Sequence, residues 1–586
     1  MGYKYLVDQK EVYMENNNLS EQLELKFEEY EYVRPDFDEI DKLIKAQIEE
    51  LKNAKHVDEA VHAYEVYTHA LADADSMTTL ASIRNSINTK DEYYEKEIEF
   101  IQENSPHLEK TIVEFKKAFL ESEFRDQLEE KYGEYLFQKY ENDLLTFKPE
   151  IVDDLVEEAK LTTEYQKLLA SCQKDWDGEK LNLTQLGKYT QDKDRAVRQK
   201  ANKLVAEFFD ENTAKLDEIY DKLVKVRNSM AKKLGYKNYV ELGYKRMGRV
   251  DYDANDVKNY REQIISEIVP LATKLRERQA KRLGHELKFY DEGLQFESGN
   301  AKPHGDKDWC LDKAKKMYAE LSPETDDFFS FMLKHDLFDL DSKPGKAGGG
   351  YCTYMSKWRS PFIFANFNGT THDVEVLTHE AGHAFQVYNS RDYISEYIWP
   401  GMESAEIHSM SMEFFTWPWM ELFFEGETDK FKFSHLQGAI LFLPYGALID
   451  EFQHFVYENP DVSPEERRKT FRELEKKYLP HRDYDGVKVL EDGGYWFRQG
   501  HVFSVPFYYI DYTLAQVCAL QFWKKDREDH DKAWEDYLNL CRAGGTKPFL
   551  QLVELANLEN PFVDGTIKKT VAPVVEYLDG VDDSKF

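Results

Sequence analysis

Residues 370–390 read TTHDVEVLTHEAGHAFQVYNS, and the reading of this stretch decides how the rest of the chain is understood. Polar Thr370, Thr371 and Asp373 stand where a helix would start, and Asp373 suits a cap at its entrance. Inside that helix His379 and His383 are four residues apart and so lie nearly one above the other. Both imidazoles can then point at one ion, with the Glu380 carboxylate beside a water held there. Such a pairing is the geometry of a zinc-dependent hydrolase.

Outward from the motif, composition limits the alternatives. The 586 residues are enough for several packed layers around a large interior. They carry 111 acidic and 77 basic side chains, a formal net charge of -34. That excess repels nucleic acid and anionic lipid, and no basic patch offsets it, so neither is an expected partner. Five cysteines, Cys172, Cys310, Cys352, Cys518 and Cys541, are too few and too scattered for a disulfide framework or a four-cysteine metal site. The opening MGYKYLVDQKEV lacks a basic region followed by an apolar run, and Leu6 stands where an acylation signal needs a hydroxyl residue. With no apolar run of about 18 residues either, a cytoplasmic protein is expected.

From about Leu19 to Leu169 the chain alternates charged amphipathic stretches with short breaks, which reads as helical hairpins. A polar, turn-rich segment, SCQKDWDGEKLNLTQLGKYTQD, then separates an N-terminal helical region (1–180) from a catalytic region (181–586). Long helices resume until KPGKAGGGYCTYM and SPFIFANFNG, two strand candidates that place a small sheet beside the motif helix. The fold class is therefore mainly α with a small β element. Gly348 to Gly350 lack the spacing and the lysine-hydroxyl pair of a phosphate loop. They suit a tight turn before an edge strand, or a pliant loop in which Gly349 and Gly350 lie beside a substrate.

A catalytic zinc takes three protein ligands and leaves one position open. Glu406, 23 residues after His383, is the expected third, because YNSRDYISEYIWPG between them can turn the chain back. Glu403 is its local rival. His408 is rotated by about 200° from Glu406 and does not easily face the same ion, which leaves it facing solvent or standing behind the ligands. Glu413, seven residues beyond Glu406, should share its face, either orienting a ligand histidine through the other ring nitrogen or lying at the surface. His372 and Asp373 are weaker candidates for the helix entrance or for a place behind the ligands, and the aromatic stripe that includes Phe414, Phe415 and Trp417 needs no more than a buried helix face.

Far along the chain, WFRQGHVFSVPFYYIDYTLAQVCALQFW carries His501 and then Tyr508, Tyr509 and Tyr512 at helical spacing. Their hydroxyls could stabilise the oxyanion formed when water attacks a peptide carbonyl, and His501 could add a donor or grip the substrate backbone. Buried tyrosines need hydrogen-bond partners in any case, so a purely structural cluster stays open.

These segments together resemble the zinc oligopeptidases of the thimet oligopeptidase and oligoendopeptidase F family, above all its oligoendopeptidase F and Pz-peptidase branch. The matching pieces run in order: GGGYC (348–352), PFIFANFNGT (361–370), DVEVLTHEAGHAFQ (373–386), ESAEIHSMSMEFF (403–415) and GHVFSVPFYYIDY (500–512). The resemblance implies one Zn2+ on His379, His383 and Glu406, Glu380 as general base, and Glu413 as the acidic residue behind the ligands. It also implies substrate contacts from His501, Tyr509 and Tyr512. A tyrosine found between these elements in thimet-type members is replaced by Val505 or Pro506, a gap that Tyr508 could fill. A multi-helix zincin-type shell around a deep central channel is implied too, with the N-terminal region as one wall, cutting short unstructured peptides at internal bonds. A metallocarboxypeptidase with the same centre is the rival, gripping a terminal carboxylate through Arg359 or Arg498. A catalytically idle peptide-binding scaffold would have no need to keep His379, Glu380, His383 and Glu406 together.

Overall fold

A computed structural model of the chain describes residues 25–586. The opening segment and the first residues of the expected helical region, Leu19 to Glu24, lie outside the described residues. What is described is mainly helical with small sheets, in keeping with the fold class read from the sequence.

Helix α1 (Phe37–Asn53) starts at Asp36, whose carboxylate accepts the Glu39 N–H at 3.0 Å and satisfies one of the donors that a first turn leaves open. Its apolar stripe of Ile44, Ile48 and Leu51 shares one core cluster with Tyr64 and Tyr67 of α2 (Val57–Ile87), Phe115 and Phe119 of α3 (Glu109–Leu120), and Leu136, Phe137 and Tyr140 of α4 (Glu134–Thr146). Tyr397, from far along the chain, joins this cluster. Its hydroxyl accepts the Leu136 N–H and donates to the Tyr132 carbonyl, both at 2.8 Å. Beside it, the hydroxyls of Tyr140 and Tyr64 donate to Glu396 at 2.5 and 3.1 Å. The N-terminal helices thus clamp the connection that carries the chain from His383 to Glu406.

Helix α5 (Val152–Ala170) already packs into the largest core, through Leu161 and Tyr165. Tyr165 donates to the Phe497 carbonyl at 3.0 Å and stacks on Phe503 at 3.9 Å. Beyond α5, the segment read only as polar and turn-rich forms an antiparallel hairpin, β1 (Lys174–Trp176) and β2 (Glu179–Leu181). Asp177 and Gly178 turn it with φ of 49° and 95°, the left-handed pair that such two-residue turns demand.

A second sheet has the order β3-β5-β4, formed by β3 (Phe338–Asp341), β4 (Tyr351–Met355) and β5 (Ser360–Phe367). Two of these strands were expected; β3, parallel to β5, was not. Central β5 is buried from Ser360 to Ala365, so it reads as an apolar run rather than an alternating one. β4 pairs antiparallel with β5, Tyr351 opposite Phe364 and Met355 opposite Ser360, and forms one edge of the sheet. Gly349, at φ +89°, makes the turn into that edge.

β5 leads into the motif helix α6 (Thr371–Ser390), followed by α7 (Met402–Phe415), the long α8 (Thr428–Glu458), the short α9 (Gly500–Ser504) and α10 (Tyr509–Glu528). α7 packs against both α6 and α10. The crossing of α6 and α7 depends on Gly382: a Cβ there would lie 2.6 Å from Ser409 Cα and 2.7 Å from the His408 carbonyl oxygen. No helix among the described residues is long and apolar enough to cross a membrane. The five cysteines are unpaired, four buried and Cys352 half-buried on β4.

Candidate active site

The close crossing of α6 and α7 brings together the three residues expected at a metal. His379, His383 and Glu406 are a group whose ligand atoms all lie within 4.8 Å of one another. Glu406 Oε2 is 3.3 Å from His379 Nε2 and 3.4 Å from His383 Nε2. Zinc–ligand bonds of about 2.0–2.2 Å at tetrahedral angles give ligand edges of about 3.3–3.4 Å, so the set fits a zinc ion in size and donor type. Both carboxylate oxygens are also braced: Ser409 Oγ donates to Oε2 at 2.9 Å, and the Tyr508 hydroxyl donates to Oε1 at 2.7 Å. Although burial works against its charge, the two imidazoles hold the Glu406 carboxyl well below the usual range.

Glu413 sits behind His379, its Oε1 2.7 Å from Nδ1. Burial opposes ionisation there too, but His379 and His435 hold its pKa at about 2. As a carboxylate it can only accept, so the proton between the two belongs to Nδ1 and the Nε2 lone pair is left for an ion. Glu403, the rival ligand, is buried outside the trio, and burial with Asp511 nearby pushes its carboxyl up to about 8. His408 does not face solvent. It is fully buried, its Nδ1 lies 2.8 Å from the Ser404 carbonyl, and burial pulls its pKa down to about 4.

Glu380 is buried one residue from His379, and burial pushes its carboxyl above the ordinary value against the pull of the two imidazoles. Its Oε1 lies 3.7 Å from where a Gly350 Cβ would stand, so the general-base candidate faces the start of edge strand β4. Asp373 is not at the ligand trio. Its carboxylate accepts the N–H groups of Asn368 and Gly369 at 2.9 and 2.7 Å, tying β5 to the first turn of α6. His372 is exposed at the same entrance, 3.8 Å from Glu375.

His501 packs among three tyrosines, ring centroids 5.6 Å from Tyr508, 5.2 Å from Tyr509 and 5.6 Å from Tyr512. Gln499 Nε2 is 2.8 Å from its Nδ1, and the Tyr512 hydroxyl is 3.4 Å from its Nε2. Burial lowers the His501 pKa, so the ring is neutral near pH 7. Burial, and the charges of Glu406 and Glu380 among other groups, raise that of Tyr512, so its proton is available to give in a hydrogen bond but not to lose. The turn that presents these tyrosines is strained. Phe507 has φ of 68°, and buried Arg249 pins it by donating to its carbonyl and to Asp511 Oδ1, each at 2.6 Å. Such a conformation costs about 1–3 kcal/mol and persists where its surroundings over-determine it.

The model of peptidase family M3 matches residues 188–571, and that of the peptidase M3 N-terminal domain matches 27–147. The chain belongs to peptidase family M3.

Relatives agree with that membership. A structure of Pz peptidase A with an inhibitor is 50% identical, covers 95% of this chain and 100% of its own, and superposes with a TM-score of 0.93. A protein assigned as an oligoendopeptidase F from Bacillus anthracis str. Ames is also 50% identical, over 96% and 99% of the two chains, with a TM-score of 0.89. A curated oligoendopeptidase F homolog of Borreliella burgdorferi is 26% identical over 323 residues, 53% of this chain. That match spans about half of the relative's length, 52%.

Several residues of this M3 peptidase site were not singled out from the sequence. His435 bonds Glu413 Oε2 at 2.6 Å from helix α8, 22 positions away, where no local spacing marks it. Trp417 was read only as a buried face, yet its indole N–H donates to His435 at 2.9 Å. Ser409 and Arg249 look like ordinary polar residues until the helices are packed. The sequence reading put Tyr508 with the substrate; the structure places its hydroxyl on Glu406.

Proposed function

We propose that the chain is a zinc-dependent oligoendopeptidase that hydrolyses internal bonds of short unstructured peptides. The observation that carries this reading is the ligand-edge geometry of His379, His383 and Glu406 beside a buried glutamate that faces an edge strand. A zinc ion on those three residues would hold and acidify the attacking water and polarise the scissile carbonyl. Glu380 takes the proton of that water as its oxygen attacks the carbonyl carbon, then passes it to the departing amine nitrogen. Tyr512 and Tyr509 donate hydroxyl hydrogen bonds to the carbonyl oxygen as it becomes negative. Neutral His501, oriented by Gln499, holds Tyr512 in place or donates to the substrate backbone. β4 offers its unpaired edge to an extended peptide, and Gly349 and Gly350 keep the approach to Glu380 free of side chains. Tyr508 braces Glu406 as well as bordering the substrate.

In this reading region 1–180 walls one side of a channel over catalytic region 181–586, admitting short peptides and excluding folded ones. Five unpaired cysteines and an acidic surface suit peptide clearance in a cytoplasm. The carboxypeptidase reading loses one of its candidate grips, because Arg359 is ion-paired with Asp392. Hydrolysis of a quenched fluorescent peptide tests the metal requirement. Treatment with a chelator is expected to lower turnover at least about 100-fold, and one equivalent of zinc per chain to restore it. Full turnover by protein stripped of metal would contradict the proposal.

A further inference from the structure

Of the two imidazoles in the ligand trio, only one is braced from behind. His379 Nδ1 meets Glu413 Oε1 at 2.7 Å, whereas His383 Nδ1 is buried with no hydrogen-bond partner among the described residues. The brace on His379 continues. Glu413 Oε2 lies 2.6 Å from His435 Nε2, and Trp417 Nε1 lies 2.9 Å from His435 Nδ1. An indole N–H only donates, so His435 Nδ1 must accept and the ring proton must sit on Nε2, pointing at Glu413. Packing fixes the ring in that pose: His435 stacks on Phe431 at 5.4 Å and 10°, and lies against Phe414 at 4.9 Å. With Oε2 occupied by His435, Glu413 turns Oε1 to His379. The direction of donation therefore runs from Trp417 to His435, from His435 to Glu413, and from His379 to Glu413.

We propose that Trp417 and His435 are positioning residues which, through Glu413, fix the His379 tautomer and so set the affinity of the site for its metal. A chain of oriented hydrogen bonds behind a ligand histidine raises its basicity and holds its ring aim. A second proton on His435 would have to displace the Trp417 contact. The inference rests on the proposed metal reading, and it predicts that the His379 side of the site depends on a partner 56 positions away, on α8.

The test uses the full chain, with zinc affinity measured by competition against a chelator of known strength. Trp417→Phe keeps an aromatic side chain but loses the indole N–H together with the five-membered ring that carries it; it is expected to weaken zinc binding about 3–10-fold. His435→Leu, which removes both contacts, should weaken it about 10–100-fold. His435→Gln, whose amide can accept from Trp417 and donate to Glu413, should recover most of the loss. In 15N-histidine-labelled protein, the signal lost in His435→Leu should show the Nε2–H tautomer in wild type and lose that pattern in Trp417→Phe. Folded Trp417→Phe protein with unchanged zinc affinity and an unchanged His435 tautomer would overturn the proposal. A wild-type chain that binds no stoichiometric zinc would instead overturn the metal reading beneath it.

Discussion

Replacing Glu380 with Gln is expected to lower peptide turnover about 1,000-fold or more, with zinc affinity within about 3-fold of wild type. The amide keeps the size of the side chain against Gly350 but can neither take the proton of the attacking water nor hand it to the amine. A 1,000-fold loss is about 4 kcal/mol of transition-state stabilisation, in the middle of what one proton-transfer group supplies. Burial already pushes the Glu380 carboxyl up, which brings its affinity for a proton closer to that of a working base near neutral pH. Because Glu380 is not one of the three converging ligand residues, binding and turnover should separate in this variant. Steady-state kinetics beside a zinc titration would check it. Turnover within about 10-fold of wild type would remove Glu380 from the proposed role.

Gly382→Ala is the second large effect, and it comes from packing rather than from chemistry. The added carbon would stand 2.6 Å from Ser409 Cα, 2.7 Å from the His408 carbonyl oxygen and 3.0 Å from Met412 Cβ. Two of these atoms are backbone, so α6 and α7 must separate by about 1 Å to reach ordinary contact distance. His379 and His383 ride on one helix and Glu406 on the other, while metal sites tolerate errors of only about 0.2 Å in ligand distance. We expect a stability loss of about 1–3 kcal/mol, zinc affinity at least about 10-fold weaker, and turnover down about 100-fold. Gly438→Ala on α8 is the control: it meets nothing within 4 Å and should be neutral or stabilising by up to about 1 kcal/mol. Thermal melts and chelator competition read both variants. A Gly382→Ala protein with wild-type zinc affinity would show that the crossing does not set the ligand geometry.

These two variants also mark what was legible before the structure. The spacing of His379, Glu380 and His383 is a local property of one helix, and the seven-residue step from Glu406 to Glu413 is a local property of another. Each survives as a sequence pattern because helical geometry alone carries it. The packing of Gly382 on Ser409 joins two helices and has no such pattern. The same holds for His435, whose partner Glu413 lies on a different helix, and for Tyr508, 102 positions from the carboxylate it braces. Strand β3 was missed because four residues, FDLD, with only one fully buried position, show neither a clear alternation nor an apolar run. The β1–β2 hairpin was hidden for a related reason: Lys174, Asp175, Glu179 and Lys180 make a polar stretch, and only the Asp-Gly turn betrays it.

The most direct test of the central claim is the mass of the products from a short unstructured peptide acetylated at its N-terminus and amidated at its C-terminus. Blocking both ends removes every group that a terminal-trimming enzyme grips, so only a site built around an internal bond can act. Zinc-loaded wild-type protein is predicted to yield two fragments, each with one blocked end, whose masses sum to that of the parent plus one water, and Glu380→Gln to leave the peptide whole. A blocked peptide left intact by zinc-loaded wild-type protein, while its unblocked counterpart loses single C-terminal residues, would contradict the account.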